Sequence, residues 1–265
     1  MKYIVALLLA LAIAPAHAEL DWDSALNGPQ RADANKARDT SRHPRETLEF
    51  FGIEEGMTVV ELSPGGGWYT EVLAPLVADS GKLYAAHFSP NAAGSPYYRN
   101  ALGGFLQKLA GDHKLYGPVV VTSLAPPAET TVAPAGSADL VLAFRNVHSW
   151  MGTDSLDGTL AAAYTALKPG GVLGLVQHRA KAGDDPEVMA KNGYVTEAHV
   201  IAAAEKAGFT LDASSEINAN PKDTADHPDG VWSLPPSLRG GDEGRDKFEA
   251  IGESDRMTLR FIKPE

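Results

Sequence analysis

Two stretches of this chain concentrate residues able to do chemistry. The first is Glu61-Leu62-Ser63-Pro64-Gly65-Gly66-Gly67, an acidic residue followed by a turn with consecutive glycines. Glycine lacks the Cβ that keeps backbone away from a ligand, so such a turn can offer free N–H groups to a polar or anionic group. The second is Arg145-Asn146-Val147-His148-Ser149-Trp150, where a cation, an amide, an imidazole and an indole follow one another closely. Arginine suits an acidic substrate group, and histidine can take or give a proton near neutral pH. His178 closes a later apolar run and is a second candidate base; His87 and Asn91 flank the end of another. Taken singly, each of these side chains reads as well as a bonded structural group, and a lone glycine triplet as a mere connector.

The elements around them supply the context. Val59, Val60 and Leu62 form a short β-branched and apolar run that suits a buried strand, and residues 70–77 begin an apolar-periodic helix. Strand, glycine turn, helix is the opening of a nucleotide-type site, because the turn's N–H groups and the helix's positive end face one spot beyond the strand's carboxyl end. Further strands are expected over residues 82–88, 118–124, from 139, 172–178, 209–217 and 257–263. Helices are expected over 97–110, 160–167 and 197–207, the last capped by Thr196. Pro44 suits the first position of a helix that Gly52 ends, and Lys168-Pro169-Gly170-Gly171 stops the helix before it. This alternation argues for a parallel, doubly wound α/β sheet. Arg145 to Trp150 then fall at the carboxyl end of a strand, where open parallel sheets place their ligands.

Composition sets the outer bounds. Lys2, an apolar run over residues 4–14 and the small-x-small end Ala16-His17-Ala18 read as a signal peptide over residues 1–18, too short to span a membrane in the mature protein. An exported, periplasmic protein is expected. The chain has no cysteine, which rules out disulfides and a lipidated cysteine. Its net charge of −11 and the lack of a Lys/Arg cluster in the sequence make nucleic acid and anionic membrane poor partners. No metal-ligand spacing and no G-x-S-x-G elbow occurs. Residues 19–43 read as a polar arm, with residues before Asp39 equally readable as solvated chain. Residues 44–265 read as one domain, with a long insertion over 218–256 expected to act as a lid.

The glycine turn resembles the first motif of class I S-adenosylmethionine-dependent methyltransferases, acidic-x-Gly-x-Gly-x-Gly, with Ser63 in place of the first glycine. The stretch from Asp139 resembles the family's fourth strand, and Lys168-Pro169-Gly170-Gly171 the turn before its fifth. The Pro-Gly-Gly-Gly-Trp-Tyr-Thr turn and the Phe144-to-Trp150 stretch also resemble those of exported proteins often labelled predicted methyltransferases. The resemblance implies a Rossmann-like seven-stranded, mostly parallel sheet in the order 3-2-1-4-5-7-6, and methyl transfer from S-adenosylmethionine to a small-molecule acceptor. It implies cofactor contacts from Glu61, Ser63, Gly65, Gly66, Gly67, His87, Asn91 and Asn146, where His87 stands at the family's ribose-binding acidic position. Arg145 would bind the acceptor, with His148 or His178 as base. A non-catalytic ligand-binding module on the same fold is the alternative expectation.

Overall fold

The computed structural model of the protein describes residues 20–78, 80–91 and 96–265, so the expected leader over residues 1–18 lies outside the described residues. The strands are β1 (Thr58–Leu62), β2 (Lys82–His87), β3 (Val120–Ser123), β4 (Ala138–Phe144), β5 (Leu167–His178), β6 (Thr210–Ser215) and β7 (Arg256–Ile262). They form a seven-stranded sheet in the order β3-β2-β1-β4-β5-β7-β6. The first five strands pair in parallel, and β7 runs antiparallel to both β5 and β6. That is the expected order, with the closing hairpin.

Burial on both faces explains the near-continuous apolar runs of the central strands. Val59, Leu140 and Leu142 join one core layer, whereas their neighbours Val60, Val141 and Ala143 join the other. Helices α1 (Trp22–Asn27), α2 (Asp33–Lys36), α3 (Asp39–Arg42), α4 (Pro44–Phe51) and α5 (Thr70–Val77) follow in chain order. Trp22, Leu48, Phe51, Val72 and Leu73 fill the first layer. Gly174 in β5 makes room for α4: a Cβ there would come within 2.5 Å of the Phe51 ring. Next come α6 (Pro96–Gly111), α7 (His113–Tyr116), α8 (Val147–Gly152), α9 (Leu156–Ala166), α10 (Pro186–Lys191), α11 (Glu197–Lys206) and α12 (Arg245–Ile251). Leu160, Ala163, Val200 and Ala204 of α9 and α11 fill the second layer.

Several local expectations change. Extended pairing begins earlier than residue 172: the Lys168-to-Gly171 turn lies inside β5, which holds Leu167 opposite Ala138 and shifts register before Val172 pairs with Leu140. Thr196 precedes α11 as expected, but its side chain makes no capping bond. The chain before Asp39 is not simply solvated. Trp22 and Ala25 are buried, Asn35 accepts the Trp68 indole N–H at 3.2 Å, and Arg31 binds Asp39 through both terminal nitrogens at 2.7 and 2.6 Å.

Polar ties order the segment between β6 and β7. Asn218 donates to the hydroxyls of Thr47 and Thr258, both at 3.0 Å. Asp223 accepts from His227 Nε2 at 2.8 Å and from the Asp255 N–H at 2.9 Å. Glu253 receives Arg38, Arg42 and Arg256 at 2.6, 3.1 and 2.6 Å. Among the described residues, no helix is long and apolar enough to cross a membrane, and no group of His, Asp and Glu is placed to hold a metal ion.

Candidate functional site

The carboxyl ends of β1, β2 and β4 meet around the glycine turn. Ser63 leaves β1 in the left-handed region, φ 50, while its N–H still pairs with the Ala86 carbonyl at 2.8 Å. The three glycines then divide in role. A Cβ built on Gly65 or Gly66 would meet nothing within 4 Å, and both line a cavity of about 650 Å³. Their N–H groups have no partner among the described residues. A Cβ on Gly67 would lie 3.0 Å from the Phe105 ring, so that glycine is required by packing and by its φ of 77.

His87 has a different task from the ribose contact expected of it. The ring is buried, Nδ1 accepts the Phe88 N–H at 2.7 Å, and the proton this leaves on Nε2 goes to the Gly65 carbonyl at 3.0 Å. Burial holds its pKa below the ordinary value, which keeps this neutral form. With both nitrogens engaged, His87 supports the turn from beneath and offers a ligand nothing. Asn91 is exposed and lines neither the cavity beside Gly65 and Gly66 nor the smaller one that adjoins it; its N–H donates to Ser89 Oγ at 3.0 Å.

Glu61 is buried under the turn, with Oε2 accepting the Thr70 hydroxyl at 2.5 Å. Burial pushes its pKa up to about 7, against the opposing pull of Thr70, Arg145 and Lys108. A folded-state pKa above the ordinary carboxylate value means that stability is lost as pH rises from the ordinary range through 7. Glu61→Gln keeps an acceptor for Thr70, so its melting temperature should exceed the wild type's by a few degrees at pH 8 and match it at pH 5. Equal melting at pH 8 would mean that Glu61 ionises freely in the folded protein.

The end of β4 carries the second cluster. Arg145 adopts φ 64, and its N–H ties to Val176 of β5 at 2.7 Å. Asn146 Nδ2 lies within bonding distance of the Leu62, Ser63 and Phe144 carbonyls, at 3.3, 3.2 and 3.1 Å, and so clamps β4 to β1. Its Oδ1 has no partner among the described residues. The rings of His148 and His178 lie 5.8 Å apart, with Trp232 5.9 Å from His148. The structure therefore brings Arg145, Asn146, His148 and His178 together with Gly65 and Gly66 around one cavity.

Gln177, which no motif singled out, decides the role of His148. Its Oε1 accepts the Val147 N–H at 3.2 Å and its Nε2 donates to the Gly193 carbonyl at 3.0 Å, which fixes the amide's orientation. The amide nitrogen therefore faces His148 Nδ1, at 3.2 Å, and Nδ1 must accept. The ring proton is then on Nε2, so the neutral His148 acts there as a donor and not as the expected base. His178 is less constrained. Its Nδ1 meets Ser254 Oγ at 2.5 Å, and a hydroxyl can give or take that bond, so Nε2 can present a lone pair. Burial, with Arg145 in support, pushes His148 down to about 4; burial, then His148 and nearby guanidiniums, hold His178 well below its ordinary value. Both rings are neutral at pH 7.

A second cavity, about 370 Å³, adjoins the first and shares Ser63, Asn146, Tyr97 and Ser149 with it. Its walls combine Phe88, Tyr98 and Trp150 with the hydroxyls of Ser89, Thr153 and Ser155. Flat rings beside hydroxyl groups suit a planar, polar-edged ligand.

No protein-family profile and no curated protein sequence matches the chain. Solved structures do. A SAM-dependent methyltransferase from Aquifex aeolicus superposes with a TM-score of 0.56 at 17% identity, covering 86% of this chain and 93% of its own. The [4+2]-cyclase SpnF gives 0.59 at 16% identity, covering 95% and 87%. A possible exported protein from Bordetella parapertussis gives 0.50 at 16% identity, covering 86% and 68%. At such identities the likeness is one of fold, and the fold is that of the class I methyltransferases.

Proposed function

We propose that the protein is an S-adenosylmethionine-dependent methyltransferase acting on a small-molecule acceptor outside the cytoplasm. The observation that carries this reading is the open cradle at Gly65 and Gly66, which line a cavity at the carboxyl end of β1 with no side chains to fill it and with N–H groups that have no partner among the described residues. The residues present fit the cofactor. Phe88 and Tyr98 supply ring surface in the smaller cavity, Ser63 to Gly66 supply backbone, and Asn146 Oδ1 supplies an acceptor. The cofactor, when bound, supplies an electrophilic methyl group.

The chain's own contribution is placement and proton handling. Arg145 and the His148 Nε2–H hold the acceptor, His178 Nε2 takes the proton the acceptor loses, and closure of the cavity excludes water. The 218–256 segment contributes Trp232 and Arg239 to the cavity wall, which supports reading it as a lid; residues 19–43 contribute Arg38 and Arg42. Cleavage after Ala18, export to the periplasm and kinship with the exported Pro-Gly-Gly-Gly-Trp-Tyr-Thr group belong to the same proposal. They rest on the sequence of the leader and the turn.

Calorimetric titration and thermal melting with S-adenosylmethionine and S-adenosylhomocysteine test it. Ligand at 100 times its dissociation constant should stabilise the protein by about 2.7 kcal/mol. Absence of both heat and melting shift with either compound at millimolar concentration would replace this reading with that of a binding module for some other ligand.

A further inference from the structure

The larger cavity is unusually cationic for an acidic protein. Arg38, Arg42, Arg145 and Arg239 line it, and no Asp or Glu is among its lining residues. They come from three distant parts of the chain: α3 and the residue before it, the end of β4, and the segment before β7. Glu253 is the nearby carboxylate, and it is already shared by Arg38, Arg42 and the buried Arg256. Arg145 makes no side-chain hydrogen bond or ion pair with any described residue, and Arg239 only lies over the Trp232 ring, 4.7 Å from its centroid. Arg145 is half-buried, and an unpaired guanidinium in that position is costly unless a ligand meets it, whereas the exposed Arg239 stays hydrated and is free to turn toward one.

Backbone strain occurs at the same place. Ser63 and Arg145 line the cavity with φ of 50 and 64, and Leu238, φ 44, immediately precedes Arg239. Side chains in the left-handed region are strained and persist where the surroundings enforce them, typically at ligand sites. Burial and mutual repulsion also push Arg42 down to about 8 and Arg145 down to about 10. Both remain cations at neutral pH. A single carboxylate, such as the one on the proposed cofactor, leaves this field largely unanswered, and that cofactor's ammonium and sulfonium would add to it.

We infer that the small molecule taken by this cavity carries at least two negative charges of the phosphate or carboxylate kind, bound by Arg145 and Arg239 with the unused donors of Arg38 and Arg42. Assigning this ligand as the methyl acceptor rests on the proposed function. Its recognition by guanidinium forks does not, because planar paired donors match carboxylate and phosphate oxygens whatever reaction follows.

The test is calorimetry and thermal melting with pyrophosphate and citrate, against acetate and chloride at matched ionic strength. The multivalent anions should bind and raise the melting temperature, and the monovalent ones should not. Arg239→Gln changes an exposed residue outside the core and should weaken multivalent binding at least about fivefold. Arg145→Gln should remove it while melting, without anions, at or above the wild-type temperature, because an unpaired partly buried charge is gone. Multivalent anions that act no more strongly than chloride, or that bind Arg145→Gln and Arg239→Gln as they bind the wild type, overturn the inference. S-adenosylhomocysteine is titrated in parallel: anion binding without it keeps the cationic site and removes the methyltransferase reading, and the converse removes only the cationic site.

Discussion

Replacing Glu253 with alanine should destabilise the protein by about 3–5 kcal/mol, the range for removing one partner of a buried ion pair. This carboxylate receives Arg38 Nε on one oxygen, and Arg42 Nε and Arg256 Nη2 on the other. Arg42 is 4% exposed and Arg256 1%, so loss of the carboxylate leaves two nearly buried charges without their partner. Burial alone would raise the Glu253 pKa, but Arg256, Arg42 and Arg38 together outweigh it and hold the group down to about 2. A depressed carboxylate contributes stability above its ordinary pKa and loses it as pH falls toward the folded value, so acid should weaken the wild type between about pH 4.5 and 2 through this group. For a chain of this size the loss corresponds to a fall of about 10 °C in melting temperature, or more. Glu253→Gln keeps the shape without the charge and should lose nearly as much. Chemical denaturation at pH 7 decides the matter: a change under about 1 kcal/mol in both variants would show the arginines to be stabilised by solvent.

The parts of this architecture that were legible in the sequence are those set by local rules. The run Val59 to Leu62, the glycine turn and the helix Thr70–Val77 were readable because burial, backbone freedom and helical period all operate within a few residues. The order of the strands followed from resemblance, and the cluster after β4 from its place at a strand end. Convergence of the arginines was not readable. Arg38 and Arg42 reach Glu253 across 215 and 211 positions, and nothing local to any of these residues marks them as neighbours. Gln177 gave no signal either, since its effect on His148 depends on Val147 and Gly193 meeting the same amide. His87 was misread for the opposite reason. Its position matched a functional one in the resembled family, but its burial and its bond to the Gly65 carbonyl, 22 positions away, are tertiary facts.

Three adjacent glycines look equivalent in a sequence, and the structure makes only one of them a clean probe of the site. A side chain at Gly67 would press on Phe105, and one at Gly65 would have to adopt φ 60, so loss of binding in either variant could be loss of fold. Gly66 has neither problem: its φ is not in the left-handed region, a Cβ there meets nothing within 4 Å, and it lines the larger cavity. Gly66→Val should therefore melt within a few degrees of the wild type. Its branched side chain would occupy the space where backbone meets ligand, and affinity for S-adenosylhomocysteine should fall at least about 100-fold, equivalent to about 2.7 kcal/mol. Titration of the folded variant reads this directly. Wild-type affinity in a normally folded Gly66→Val protein would mean that the turn is a connector, and that whatever the cavity holds approaches it from the arginine side alone.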